Sequence, residues 1–122
     1  MQNKPARFGP LALSSTLTTN ILNPNTCAGG VNAGQTATYI LIRHIRVVNK
    51  TSAGATCSFW IGATGANTAG TEFLGNGLQV AANSFIDWYG MCRLDVADYL
   101  VGGASALTTL TIELEGEIGV AG

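Results

Sequence analysis

The feature that most constrains this chain is the absence of any sustained helical period among its apolar residues. Nowhere does a repeat of about 3.6 residues persist for the roughly 10–12 residues that a helix needs. Apolar and polar residues instead alternate over short runs, which Gly, Asn, Ser or Pro clusters interrupt about every 8–12 residues. Successive side chains of a β-strand point to opposite faces, so this alternation is strand chemistry. The pattern predicts an all-β fold: an antiparallel β-sandwich, jelly-roll-like, of seven or eight short strands.

The strongest strand signal runs from Thr36 to Asn49. Strict alternation divides it into two faces: Tyr39, Leu41, Arg43, Ile45 and Val47 on one, and Ile40, Ile42, His44, Arg46 and Val48 on the other. Both faces are mostly apolar, which predicts a strand buried on both sides: a central strand, or one that lies partly under a neighbouring subunit. A polar turn at Asn49–Gly54 and a second alternating run to Gly62 follow, and they predict a hairpin.

The two ends of the chain differ in pattern. Residues 1–10 contain Pro5, Gly9 and Pro10 and show no period, so we expect an extended N-terminal arm outside the core. Residues 11–122 are then expected to form a single β-sandwich domain, since a chain of 122 residues has the size of one domain. Near the C-terminus, Leu110, Ile112 and Leu114 are predicted to face inward.

Charged side chains are scarce, which bears on how the protein functions. They make up 11% of the 122 residues, against about 25% in typical soluble domains. Free monomers usually keep a charged surface for solubility, so the deficit indicates a surface that neighbouring subunits cover. The alternative is a secreted or Thr-rich β protein that is merely polar and uncharged.

Charge and hydropathy also limit the expected partners. Six basic residues against seven acidic ones give a net charge of −1, so we expect no nucleic-acid partner. No run approaches the roughly 18 apolar residues of a membrane span, and the N-terminus lacks the apolar stretch of a signal peptide. A soluble protein made in a cytoplasm is expected. Its cysteines, Cys27, Cys57 and Cys92, are predicted to be free thiols, with an intersubunit disulfide left open by their odd number.

Catalytic, metal and cofactor sites are not predicted. His44 is the only histidine, so one chain cannot assemble a two-histidine metal site, and no activating motif surrounds a cysteine. Glu113, Glu115 and Glu117 alternate along one strand face, where a solvated or intersubunit charged row is the ordinary interpretation. Arg43 and Arg46 are their expected partners. The sequence therefore indicates a protein that is not an enzyme.

The aromatic residues Trp60, Trp88 and Tyr89 are expected to anchor the core or an interface, with a carbohydrate-binding platform as the alternative. Together with the cationic positions, they complete a set of candidate residues for contact with a partner subunit or shell: Arg7, Phe8, Arg43, His44, Arg46, Trp60, Trp88 and Tyr89.

Several strand and turn segments resemble a group of small bacteriophage virion proteins. The resemblance covers roughly residues 39–119, and it rests on these segments: Ile42–Asn49, Phe59–Gly65, Ala69–Glu72, Val80–Ser84, Asp87–Tyr89, Gly103–Ala106 and Leu110–Gly116.

The resemblance implies a β-sandwich subunit of the virion that is assembled in the cytoplasm of a bacterial host. Such proteins occur as capsid decoration (cement) proteins or as neck or minor tail components, and no catalytic residues transfer. The expected partners are the major capsid protein or other virion proteins. A homo-oligomer is expected too, with a trimer favoured, and the N-terminal arm is expected to help anchor it to the shell.

Overall fold

A computed structural model of the protein describes residues 2–24, 37–65, 67, 70–106 and 109–120. Eight strands follow one another in the described residues: β1 (Gln2–Ala12), β2 (Asn20–Leu22), β3 (Tyr39–Asn49), β4 (Ala55–Gly62), β5 (Glu72–Val80), β6 (Ser84–Asp95), β7 (Tyr99–Ala104) and β8 (Leu110–Val120).

The strands form two four-stranded antiparallel sheets. One has the order β1-β8-β3-β6 and the other has the order β2-β7-β4-β5. This is the strand order of a jelly roll, in which two Greek keys fold into two packed sheets. The all-β sandwich predicted from the alternation is confirmed.

Neighbours in sequence are mostly not neighbours in a sheet, because the chain crosses repeatedly between the layers. The predicted hairpin after Asn49 is wrong: β3 pairs with β6 and β8, while β4 pairs with β5 and β7. Asn49, which is fully buried, organises this crossing. Its Nδ2 donates to the carbonyls of Ala53 and Val80, and its Oδ1 accepts from the Thr51 amide. A turn signal alone does not distinguish such a crossing from a hairpin.

The expectation that residues 1–10 form an arm outside the core is wrong for residues 2–10. They belong to β1, an edge strand that pairs with β8. Ala6 and Phe8 are buried in the sandwich, while Pro5 and Arg7 are exposed. Prolines break the strand signal in the sequence, but an edge strand tolerates them because one of its sides needs no hydrogen bonds.

The core fills the space between the two sheets. Its largest fully buried side chains are Phe8, Phe59, Leu22, Ile40, Ile42, Ile45, Leu94, Leu100, Leu110, Ile112, Leu114 and Ile118. The inward prediction for Leu110, Ile112 and Leu114 is confirmed. Glu113, Glu115 and Glu117 alternate with the inward-facing residues of β8 and point away from the core, so the first sheet carries its charge on the outer face.

Candidate functional site

The outer face of the β1-β8-β3-β6 sheet holds most of the candidate contact residues, and a β-bulge explains how they come together. The pairing of β3 with both neighbours shifts register between Ile42 and His44. Relative to β8, β3 contains one extra residue at this point, so the faces exchange. Ile40, Ile42 and Ile45 all point inward, whereas His44 points outward.

The bulge corrects the predicted faces of β3. The strand is central, as expected, but it is not buried on both sides: one face enters the core and the other carries Arg43, His44 and Arg46. The sequence contains a signal for this shift. The spacing of the inward residues lengthens from two to three between Ile42 and Ile45, where two polar residues stand side by side.

Three other candidates lie elsewhere. Phe8 and Trp60 are 0% and 4% exposed, so neither offers a contact surface. Phe8 belongs to the core between the sheets, whereas Trp60 follows the inward-facing Phe59 and is buried on the other face of β4. Trp88 is half-buried on the inner side of β6, with its ring edge-to-face on Phe73 at 5.0 Å between centroids. Arg7, in contrast, lies on the outer face of the first sheet: it is exposed on β1, opposite Glu115 of β8.

A chain of charged hydrogen bonds crosses the outer face from β6 through β3 to β8. The Arg46 guanidinium donates from Nε and Nη2 to the two carboxylate oxygens of Asp87, at 2.8 and 3.1 Å. His44 Nε2 lies 2.8 Å from the same carboxylate, and His44 Nδ1 lies 3.0 Å from Glu115. Both ring nitrogens therefore face carboxylates, and only the imidazolium form can donate from both.

These contacts shift the pKa values of the cluster. Partial burial opposes protonation of His44, but the hydrogen bonds to Asp87 and Glu115 outweigh it, so the pKa of His44 is raised above 6.5. The hydrogen bonds from Arg46 and then His44 lower the pKa of Asp87 to about 2. When His44 is protonated, the cluster is a set of ion pairs. Two cations and two carboxylates hold one another in place across three strands.

Aromatic rings lie over these charges. Tyr89 stacks on His44, with ring centroids 4.5 Å apart and planes 8° from parallel. The guanidinium of Arg46 lies 4.5 Å from the ring centroid of Phe85, a cation–π contact. Farther along β6, Arg93 lies over the ring of Tyr39 and binds Asp95.

Large apolar side chains are exposed along β6 in particular. Phe85, Tyr89 and Met91 are 55%, 70% and 60% exposed, and all three belong to the outward-facing odd-numbered row of this strand. The contact candidates inferred from the sequence include Tyr89 but omit Phe85 and Met91. The alternation of β6 was sufficient to place all three on one face. Their exposure depends on β6 being the edge strand, which local pattern does not reveal.

The predicted partners of the glutamate row are partly confirmed. Arg43 Nε donates to Glu117 at 2.7 Å, whereas Arg46 is hydrogen-bonded to Asp87 rather than to Glu113. Register alone does not decide this choice, because Asp87 on β6 and Glu113 on β8 both lie directly across from Arg46.

The cysteines described lie away from the histidine cluster. Burial raises the pKa of the Cys57 thiol to about 11, and burial also raises that of Cys92. Cys92 is paired with the inward-facing Ile42, so it lies on the other side of the sheet from His44. Both thiols are free, as predicted, and Cys27 lies outside the described residues.

Among the described residues, no group of three or more His, Cys, Asp or Glu side chains is arranged to hold a metal ion. None of the described segments is an apolar helix long enough to cross a membrane. Comparison with protein-family models, curated proteins and solved structures gives no significant match. The candidate site is therefore described from its own residues. The outer face of the first sheet combines an ion-pair network with exposed aromatic and apolar side chains.

Proposed function

We propose that this protein is a structural component of a bacteriophage virion, and specifically a capsid decoration (cement) protein that binds and stabilises the head shell. The observation that carries the proposal is the outer face of the β1-β8-β3-β6 sheet. Phe85, Tyr89 and Met91 form an exposed row there, beside ordered ion pairs. Aromatic residues, Met and Arg are enriched in protein interfaces, and this face offers all three classes.

Two further features support a role in contacts. The chain carries charge on only 11% of its residues, which suits a surface that other subunits cover. The resemblance of residues 39–119 to small virion proteins points to the same class. A non-enzymatic role without cofactors, a location in the virion and a major-capsid-protein partner all belong to this proposal.

The structure changes which part of the chain would bind the shell. Residues 2–10 form a strand within the sandwich and are not an independent anchor. The outer sheet face takes their place as the proposed contact surface. Arg7 stays within it, since it is exposed on that face beside the β8 glutamates.

Quantitative mass spectrometry of purified particles tests the proposal. A decoration protein is expected at hundreds of copies per particle, and a neck or minor tail protein, the alternative within the class, at a handful. Absence from particles contradicts both.

Rebinding to shells that have been stripped of the protein tests the surface. The Phe85→Ser variant should lower occupancy, while Leu17→Ser, at an exposed apolar residue that is not on this sheet, should not. Equal occupancy of both variants would contradict a shell contact at this face.

One observation favours a second function of another class, a carbohydrate- or host-surface-binding module. Tyr89 is 70% exposed and is held in place by its stack on His44, as an aromatic platform for a sugar ring would be. Trp60 cannot contribute because it is buried. Isothermal titration calorimetry with host-surface glycans tests this second function: binding that Tyr89→Ala removes supports the module, and no binding contradicts it.

A further inference from the structure

The two edges of the first sheet are protected to very different degrees. On β1, Pro5 and Pro10 interrupt the edge, because proline has no N–H to offer a pairing strand. On the other side, β6 runs for 12 residues from Ser84 to Asp95 without a proline. Within the described residues, no strand pairs with its second side. Long unprotected edges that carry apolar side chains are places where further strands add.

The register of β6 against β3 is also irregular near the centre of β6. The pairing with β3 joins His44 to Tyr89 and Ile42 to Cys92, so it passes over Gly90 and Met91. These two residues therefore lack a registered partner on β3. They lie within the exposed part of β6.

From these features we infer that β6 pairs antiparallel with β6 of a second copy of this chain, about a two-fold axis at Gly90. The first sheets of the two subunits then form one continuous eight-stranded sheet. The interface is isologous, since the same surface is used on both sides, and it closes as a dimer. This inference goes beyond the proposed function because it concerns the free protein.

The outward row of β6 is complementary to itself in this register. Tyr89 lies opposite Met91 of the second copy, which places a thioether against an aromatic ring. Asp87 lies opposite Arg93 of the second copy, an opposite-charge pair that occurs twice by symmetry. Gly90 meets its own copy at the axis, where neither chain brings a side chain.

Other registers are less favourable. A shift by one residue would place outward side chains of one copy opposite inward side chains of the other. Moving the axis to Met91 would set Asp87 against Asp95, two like charges directly opposite each other. Moving it to Tyr89 would set Asp87 against Met91, which leaves the charge pairs unmade. Charge complementarity thus selects the axis at Gly90.

Sedimentation equilibrium of the full chain over a range of concentrations tests the inference. The wild type is expected to reach twice the chain mass of 12.6 kDa reversibly. Met91→Lys should raise the dimer dissociation constant at least about tenfold, because it puts a charge at the centre of the contact. Leu17→Lys introduces the same charge at an exposed apolar residue off the first sheet and should leave the constant unchanged.

A matched pair of charge reversals tests the register. Arg93→Glu would set a carboxylate against Asp87 of the second copy and should weaken the dimer at least about tenfold. Arg43→Glu is the control, since Arg43 is similarly exposed and also makes one ion pair, but on β3. Circular dichroism and thermal unfolding check that each variant folds.

Three results would overturn the inference: a monomer at every concentration, a trimer, or a dimer that Met91→Lys and Arg93→Glu leave intact. A trimer would instead agree with the oligomer expected from the resemblance. Virion location is measured on particles, so the proposed function can fail or hold independently of this result.

Discussion

Truncation of Phe8 tests whether the N-terminal strand is part of the folding unit. The Phe8 ring is completely buried between the sheets. The pairing of β1 with β8, which lies at the opposite end of the chain, holds the ring there. Phe→Ala changes in cores cost about 3–5 kcal/mol, through lost apolar transfer and the cavity left behind. Domains of this size are stable by about 5–15 kcal/mol, so the free energy of unfolding should fall by roughly a fifth or more.

Urea unfolding followed by circular dichroism measures this loss. With an m-value of about 2 kcal/mol/M, a loss of about 4 kcal/mol lowers the midpoint by about 2 M. Arg7→Ala is the matched control, one residue away on the same strand but exposed, and its change should stay within about 0.5 kcal/mol. Deletion of residues 1–10 should be more severe, since seven of the nine registered β1–β8 pairs lie between Gln2 and Phe8.

A Phe8→Ala variant that loses less than about 1 kcal/mol would refute this reasoning. So would a chain of residues 11–122 that unfolds cooperatively at the wild-type midpoint. Either result would return residues 1–10 to the status of a dispensable arm.

The remaining predictions concern the outer face, the core thiols and the sheet interior. The pKa of His44 in the folded protein is raised above 6.5, its value in the unfolded chain. The contribution of His44 to the free energy of unfolding is therefore complete below pH 6.5 and is lost as the pH rises through the raised pKa of the folded state. Wild type minus His44→Gln unfolding free energy, measured by urea titration, should therefore shrink from pH 5 to pH 9; a difference that grows would contradict the ion pairs. The pKa of Asp87 in the folded protein is lowered to about 2, so its contribution to the free energy of unfolding is present above pH 3.8 and is lost as the pH falls from 3.8 towards 2. Urea unfolding of the wild type and of Asp87→Asn at pH 2–5 should show this loss. In a background that carries both Cys27→Ser and Cys92→Ser, Cys57 should resist Ellman's reagent at pH 8 until denaturant is added; rapid labelling of the native protein would disprove its burial. Gly116→Ala should cost about 1–3 kcal/mol in urea unfolding, because its methyl group would collide with the Leu41 carbonyl, whereas Gly54→Ala meets only the end of the Gln79 side chain.

The candidate site was only partly accessible from the sequence. Its cations and Tyr89 were identified as contact candidates, since polar and aromatic residues on strands are ordinary interface chemistry. The sequence does not show which of these residues contact one another. One extra residue in β3 moves His44 to the outer face and brings it between Asp87 and Glu115. Phe8 and Trp60 are contact candidates in the sequence, but the structure buries both. Their side chains suit an interface and a buried position equally, and only packing distinguishes the two.

The sequence by itself determined the class of fold and much of the core. Alternation with period two is a local property, so the strands and inward residues such as Leu110 and Ile112 follow from it directly. Tertiary structure decided which strands pair, because pairing joins segments far apart in the chain: β1 lies beside β8, and β3 separates from β4 into the opposite sheet. It also decided that β6 is an edge. The exposed row of Phe85, Tyr89 and Met91 is therefore a property of the assembled sheet, since the same alternation in a covered strand would have buried it.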